Sequence, residues 1–188
     1  MKKTYHLCLS AGEEVMFRDI EDYHRGFNCF ALGLFKTDTT GLAESIMATH
    51  MHQIVQTEHP CDFMHCLRQS YSAYFNQKYH RKGRLGEDVH FTMEIVGYHL
   101  LAALSYVLRN ALHHGVVPIP YAYPHCSVNA IFRREMGKFQ DEKVIPDNTY
   151  YKHIGRRAGY PDHYKMNEKG VFLRESVLDI PQVENLFV

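Results

Sequence analysis

The sequence predicts an α+β sandwich: a mainly antiparallel sheet with helices on one face, an additional helix that carries a tyrosine, and a C-terminal tail. Three observations predict it. Between residues 5 and 96 the hydrophobic pattern alternates between strand-like and helix-like spacing, in the order strand, helix, strand, strand, helix, strand. A third apolar stripe follows at 98–114, and beyond about residue 140 the chain turns polar.

The elements follow in order. Tyr5 to Ala11 alternates apolar with small or polar residues and predicts a strand. Ile20, Tyr23, Phe27, Phe30, Ala31 and Leu34 recur at helical spacing, so 20–34 predicts a helix. A polar turn at 37–41 ends in Gly41, and 42–55 then predicts one or two strands, the second holding His50 and His52. Pro60 breaks the chain, and Asp62 is the expected N-cap of a helix over 63–79. After a basic loop at 78–84, residues 89–96 alternate as a further strand. Gly97 opens and Gly115 closes a helix over 98–114, whose apolar positions include Leu100, Leu104, Val107, Leu108 and Ala111. Pro118, Pro120 and Pro124 impose an irregular connection. Strand, helix, strand, strand, helix, strand is the ferredoxin-like or RRM-like order. The expected division is a domain at 1–130 and an extension of unassigned role at 131–188.

Composition narrows the function classes. A chain of 188 residues, 45% hydrophobic, suffices for one substantial core. Lys and Arg total 21 and so do Asp and Glu, so the whole-chain field attracts no polyanion, and nucleic-acid binding has to come from local patches. The five cysteines have no C-x-x-C pair, which argues against a disulfide framework or a cysteine-rich zinc site and predicts buried thiols. The N-terminal apolar run is too short for a signal peptide, and no stretch approaches a membrane span. A soluble, cytoplasmic protein is expected, nucleoid-associated if bacterial.

Two pairs of residues could carry chemistry. Alternate residues of a strand share a face, so His50 and His52 emerge together, about 7 Å apart, and can share one metal ion. Tyr106 and Asn110, four apart on a helix, also share a face. If that face packs over the histidine strand, the Asn110 carbonyl oxygen completes a metal shell and Tyr106 presents a phenol to the same space. Taken singly, neither pair differs from an ordinary polar pair on a sheet or a core tyrosine, particularly in a chain with 14 histidines.

In combination and order, these residues resemble the REP-associated tyrosine transposases, single-tyrosine members of the HUH nuclease superfamily. The His-hydrophobe-His of that family is matched by His50-Met51-His52, and its Tyr-Ile-x-x-Asn-Pro by Tyr106-Val107-Leu108-Arg109-Asn110-Ala111, with Gly115 after it. Tyr74-Phe75-Asn76 with Gly83, Tyr123-Pro124-His125-Cys126-Ser127, and Phe17-Arg18-Asp19 with Tyr23 are similar to further family segments. The likeness spans about residues 4–130. Thr49 stands where the family has Asn, Ala111 where it has Pro, and 85–88 lacks the family's Trp-Gln-x-Arg.

The resemblance implies an enzyme that nicks and rejoins single-stranded DNA beside a hairpin through a 5′-phosphotyrosine on Tyr106. His50, His52 and Asn110 would hold Mg²⁺ or Mn²⁺, which offsets the weak nucleophilicity of a phenol. Lys78, Arg81, Lys82 and Arg84 form the densest basic patch and are the expected DNA contacts, with Tyr79 and His80 available to stack on bases. Arg133, Arg134 and Lys138, and Lys152, Arg156 and Arg157, read as solvated surface. The alternatives are a non-catalytic hairpin-binding protein on the same scaffold and a histidine-bound metalloenzyme indifferent to Tyr106. The sequence leaves a homodimer open.

Overall fold

The computed structural model describes residues 1–12, 14–85, 91–133, 142–155 and 158–187, with backbone alone at 91–93. Its first elements run β1 (Lys3–Ser10), α1 (Ile20–Lys36), β2 (Thr40–Ile46), β3 (His50–Thr57), α2 (Pro60–Lys78) and β4 (Phe91–Glu94). The strands form one sheet in the order β2-β3-β1-β4, every neighbouring pair antiparallel. This is the ferredoxin-like arrangement that the sequence order predicts.

Boundaries shift for identifiable reasons. Helix α1 starts where expected, because the Asp19 carboxylate accepts from the Asp22 N–H and caps it. Helix α2 starts earlier than expected: Pro60 opens it at a position that needs no N–H, His59 precedes it, and Asp62 lies in its first turn rather than capping it. The strand expected over 89–96 is described at Phe91–Glu94; residues 89 and 90 lie outside the described residues. The helix expected over 98–114 divides into α3 (Tyr98–Leu108) and α4 (Asn110–His113), with Arg109 between them. Gly115, at φ +67°, closes this stretch as expected.

Alternation along β3 separates the two faces of the sheet. Met51 and Val55 join the core under α1 and α2, with Leu7, Leu9, Phe27, Phe30, Phe63 and Phe75. Ile54 points the other way, into a second core with Leu104, Val107, Leu108 and Ala111, so α3 packs across β2 and β3 from the opposite face. His50 and His52 have the same parity as Ile54 and lie under α3.

The segment after residue 131 packs into both cores. Tyr150, Tyr164, Met166 and Phe172 are buried in the core under α1 and α2, and Val183 in the core under α3. The Asn28 amide donates to the Gly170 carbonyl (2.7 Å) and accepts from the Phe172 N–H (3.0 Å), pinning this segment to α1. Arg174 pairs with fully buried Glu44 on β2 at 2.5 Å. The C-terminal residues are polar in sequence because so much of each short turn faces solvent, yet their few large side chains complete the core. Cys8, Cys29 and Cys126 are buried free thiols as expected, whereas Cys61 is exposed. No helix among the described residues is long and apolar enough to cross a membrane.

Candidate active site

His50 and His52 face α3 from the strand end that pairs with Ser10 and Cys8 of β1. Their rings lie 5.0 Å apart, centre to centre. Helix α3 runs back over the sheet toward this end. Tyr106, in its last turn, sets its ring edge-on to His52 at 5.3 Å. After Arg109, Asn110 turns fully inward, and its Oδ1 lies 3.3 Å from His50 Nε2. The structure thus brings together Tyr106, His50, His52 and Asn110, from elements separated by about fifty residues of sequence.

Each histidine also has a partner on its other side. The Thr49 hydroxyl is 3.1 Å from His50 Nδ1, and His6 Nε2, from β1, is 3.0 Å from His52 Nδ1. These contacts leave His52 Nε2 as the nitrogen available to the site. His6, His113 and His114 were not singled out in the sequence, but all three surround the pair: His6 and His113 flank Tyr106 at 6.0 and 5.8 Å, and His114 lies 5.3 Å from His50. The signal for His6 was its parity on the first strand, which is readable only once that strand is known to pair with β3. On the solvent side of the tyrosine, Ser105, Tyr106, Arg109, Leu112 and His113 line a cavity of about 220 Å³.

Burial dominates the electrostatics. It pushes His52 down to about 3, with repulsion from His6, His50 and His114 adding to the effect. Burial also lowers His50, against the raising effect of its bond to Asn110, and it lowers His6. All three are therefore neutral imidazoles near pH 7, the form that binds metals. Among the described residues no three His, Cys, Asp or Glu side chains are grouped to hold a metal, and the side-chain oxygen that lies beside His50 Nε2 is Asn110 Oδ1.

The donor set fits a hard or borderline divalent ion. A spacing of 3.3 Å between His50 Nε2 and Asn110 Oδ1 is close to that of adjacent ligands on one octahedral ion, given bonds of roughly 2.0–2.2 Å. The Asn110 amide nitrogen is buried without a hydrogen-bond partner, so this side chain presents its oxygen to the histidine at a local cost of about 1–3 kcal/mol.

The basic patch is less uniform than its sequence. Lys78 is held by Asp19 (2.8 Å), Asp22 (2.9 Å) and Glu21 (3.0 Å), and the Tyr74 hydroxyl is 3.0 Å away. Burial lowers its pKa, but those partners more than offset the effect and the net shift is upward. It is thus engaged within the protein. Arg81 pairs with Glu14 at 3.1 Å. Lys82 and Arg84 are exposed. The loop that carries them leaves α2 at the same sheet end as His50, because α2 runs antiparallel to β3. The 85–88 segment lies outside the described residues from 86 onward, as do Arg134, Lys138, Arg156 and Arg157. Arg133 pairs with Glu175 at 3.2 Å.

The other segments similar to the transposase family build the scaffold. Phe17 stacks on Tyr71 at 4.8 Å, Arg18 lies over Tyr79 at 4.4 Å, and the Asn76 amide donates to the Gly83 carbonyl at 2.6 Å. Tyr123 donates to the Ile46 carbonyl (2.6 Å), and Ser127 bonds the backbone of Glu44, so 123–127 covers the free edge of β2.

Comparison of the fold with solved structures finds a REP-associated tyrosine transposase bound to a REP hairpin. The match has a TM-score of 0.59 and 14% identity, and it covers 72% of this chain and 82% of that one. A candidate transposase from Deinococcus radiodurans R1 also matches, with a TM-score of 0.37 and 15% identity over 58% of this chain and 91% of that one. No protein-family model and no curated protein matches the sequence. At such identity the first likeness establishes the fold, which is that of the REP-associated transposase.

Proposed function

We propose that this protein is a metal-dependent, transposase-like DNA transesterase that nicks and rejoins single-stranded DNA beside a hairpin. The observation that carries this reading is the convergence of the exposed edge of Tyr106 with His50, His52 and Asn110 on one sheet face. The hairpin bound to the structural neighbour supports the choice of substrate.

Tyr106 Oη attacks the scissile phosphorus. A phosphotyrosine bond forms, the bond to the 3′-oxygen breaks, and the phenolic proton is balanced by the one the leaving 3′-oxygen acquires. Attack by a free 3′-hydroxyl reverses the step, so rejoining needs no ATP. His50, His52 and Asn110 would hold Mg²⁺ or Mn²⁺, which polarises the phosphate and neutralises developing charge. These three ligands carry no charge, so a bound dication keeps its full attraction for the phosphate.

Thr49 and His6 suit such a site because each can either donate or accept a hydrogen bond. His50 bonded to Asn110 through Nε2–H needs Nδ1 to accept from Thr49. With Nε2 as a ligand, Nδ1 would carry the proton and Thr49 would accept from it. His6 can follow His52 in the same way. Thr49, a departure from the family pattern, would supply this orienting contact.

Lys82, Arg84 and, through its remaining donors, Arg81 form the DNA contacts of this reading. The test is covalent capture: a labelled single-stranded oligonucleotide with a hairpin becomes attached to the wild type in Mn²⁺ and never to Tyr106→Phe. Hairpin binding without any adduct would favour the non-catalytic alternative.

A further inference from the structure

A second cavity lies on the outer side of α1, away from the sheet face that carries Tyr106. It has a volume of about 330 Å³, at the lower end of ligand-sized cavities (~300–1,000 Å³). Its lining includes His24, Arg25, Lys152, His153 and Lys169, and the acidic Glu21. In a chain whose positive and negative side chains balance at 21 each, that is a local excess of cations.

Neighbouring carboxylates cancel only part of the excess. Glu21 already pairs with Lys78 at 3.0 Å. Glu142, the other carboxylate felt at His24, accepts from the Asn167 amide and keeps its charge, which offsets one of the three cations Arg25, Lys152 and Lys169. Lys152 and Lys169 are exposed, and neither has an ion-pair partner among the described residues. The field at His24 reports the balance: burial lowers its pKa first, and Lys169 and Arg174 lower it further, against Glu142 and Glu21.

The walls are fixed. Arg25 donates to the His153 carbonyl and lies 5.4 Å from the Tyr74 ring centre. One N–H of five is engaged there, so the guanidinium keeps donors for a bound oxyanion. Asn28 locks Gly170 at the floor. Gly170 itself has φ +74°, and a Cβ there would meet the His153 ring at 2.1 Å, so backbone and ring pack without space for a side chain.

We infer that this cavity binds phosphate groups of a nucleic-acid backbone, as a DNA contact separate from the Tyr106 face. Tyr74, in the lining, belongs to α2, whose C-terminal end leads into the loop that carries Lys82 and Arg84. The inference rests on the DNA-binding part of the proposed function, not on its chemistry.

The test uses the full-length protein, a fluorescent hairpin DNA with a single-stranded flank, and the double variant Lys152→Glu, Lys169→Glu. The two lysines are exposed, so the variant melts with the wild type. Two lost phosphate contacts lower the slope of log K against log salt by about 1.8 and weaken binding roughly tenfold at low salt. An unchanged slope and affinity would overturn the inference. So would pyrophosphate binding that the variant abolishes while DNA binding is intact, which would mark a site for small phosphates. A wild type that shows the expected slope difference yet forms no adduct in Mn²⁺ contradicts the proposed chemistry and leaves this assignment standing.

Discussion

The two faces of the sheet are drawn from the same strands, yet they differ in what fills them. Toward α1 and α2, β3 sends Met51 and Val55 into a core rich in aromatic rings, sealed from outside by Tyr150, Tyr164 and Phe172. Toward α3, the same strand sends His50 and His52, and the apolar contacts around Ile54 begin only beyond them. One face holds its shape by burial, so the other can carry buried, neutral imidazoles and an orphaned amide nitrogen that would destabilise a structure relying on that face alone.

The comparison can be broken first on the helical face. Phe172→Ala empties a buried site in the core under α1 and α2 and is expected to cost about 3–5 kcal/mol in urea unfolding. Loss of less than about 1 kcal/mol would mean that the C-terminal segment is an appendage after all.

The next effect belongs to the histidine face. Native His52 resists protonation down to about pH 3, and burial also lowers His50 and His6, whereas unfolded histidine protonates near 6.5. The unfolded state therefore binds more protons below about pH 6.5, and stability falls as pH drops from there toward 3. His52→Gln should flatten that part of the curve in chemical denaturation; an unchanged profile would place the acid sensitivity elsewhere.

Smaller effects sharpen the account of the orienting shell. His6→Leu should raise the Kd for Mn²⁺, measured calorimetrically, by about 10–100-fold, and His6→Gln, which keeps a polar partner for His52, by less. Equal losses in the two variants would reduce His6 to packing. Thr49→Val removes one neutral hydrogen bond to His50 and should weaken Mn²⁺ about fivefold, corresponding to ~1 kcal/mol.

Much of this was legible in the sequence, and the exceptions have physical causes. The strand and helix order is readable because each amphipathic element repeats its own period, and Tyr106 with Asn110 is readable because four residues make about one helical turn. The start of α2 was missed because Pro60 reads equally as a breaker and as a first helical residue. The ion pairs of Lys78 were missed because a basic run shows none of the carboxylates, here Asp19, Glu21 and Asp22, that another element brings to it. His6 was lost among 14 histidines, since its place beside His52 depends on strand pairing across 46 residues. The C-terminal segment was missed because its buried residues are scattered through turns with no period to read.

The central claim is that one phenol, placed by α3 over the histidine strand, forms the bond to DNA. The most direct test is mass spectrometry of the peptides released after incubation with hairpin-flanked single-stranded DNA and Mn²⁺. The account predicts a nucleotide attached through its 5′ phosphate to Tyr106 and to none of the other tyrosines among the 13 in the chain. An adduct mapped to any other residue, or persisting in Tyr106→Phe, would contradict it.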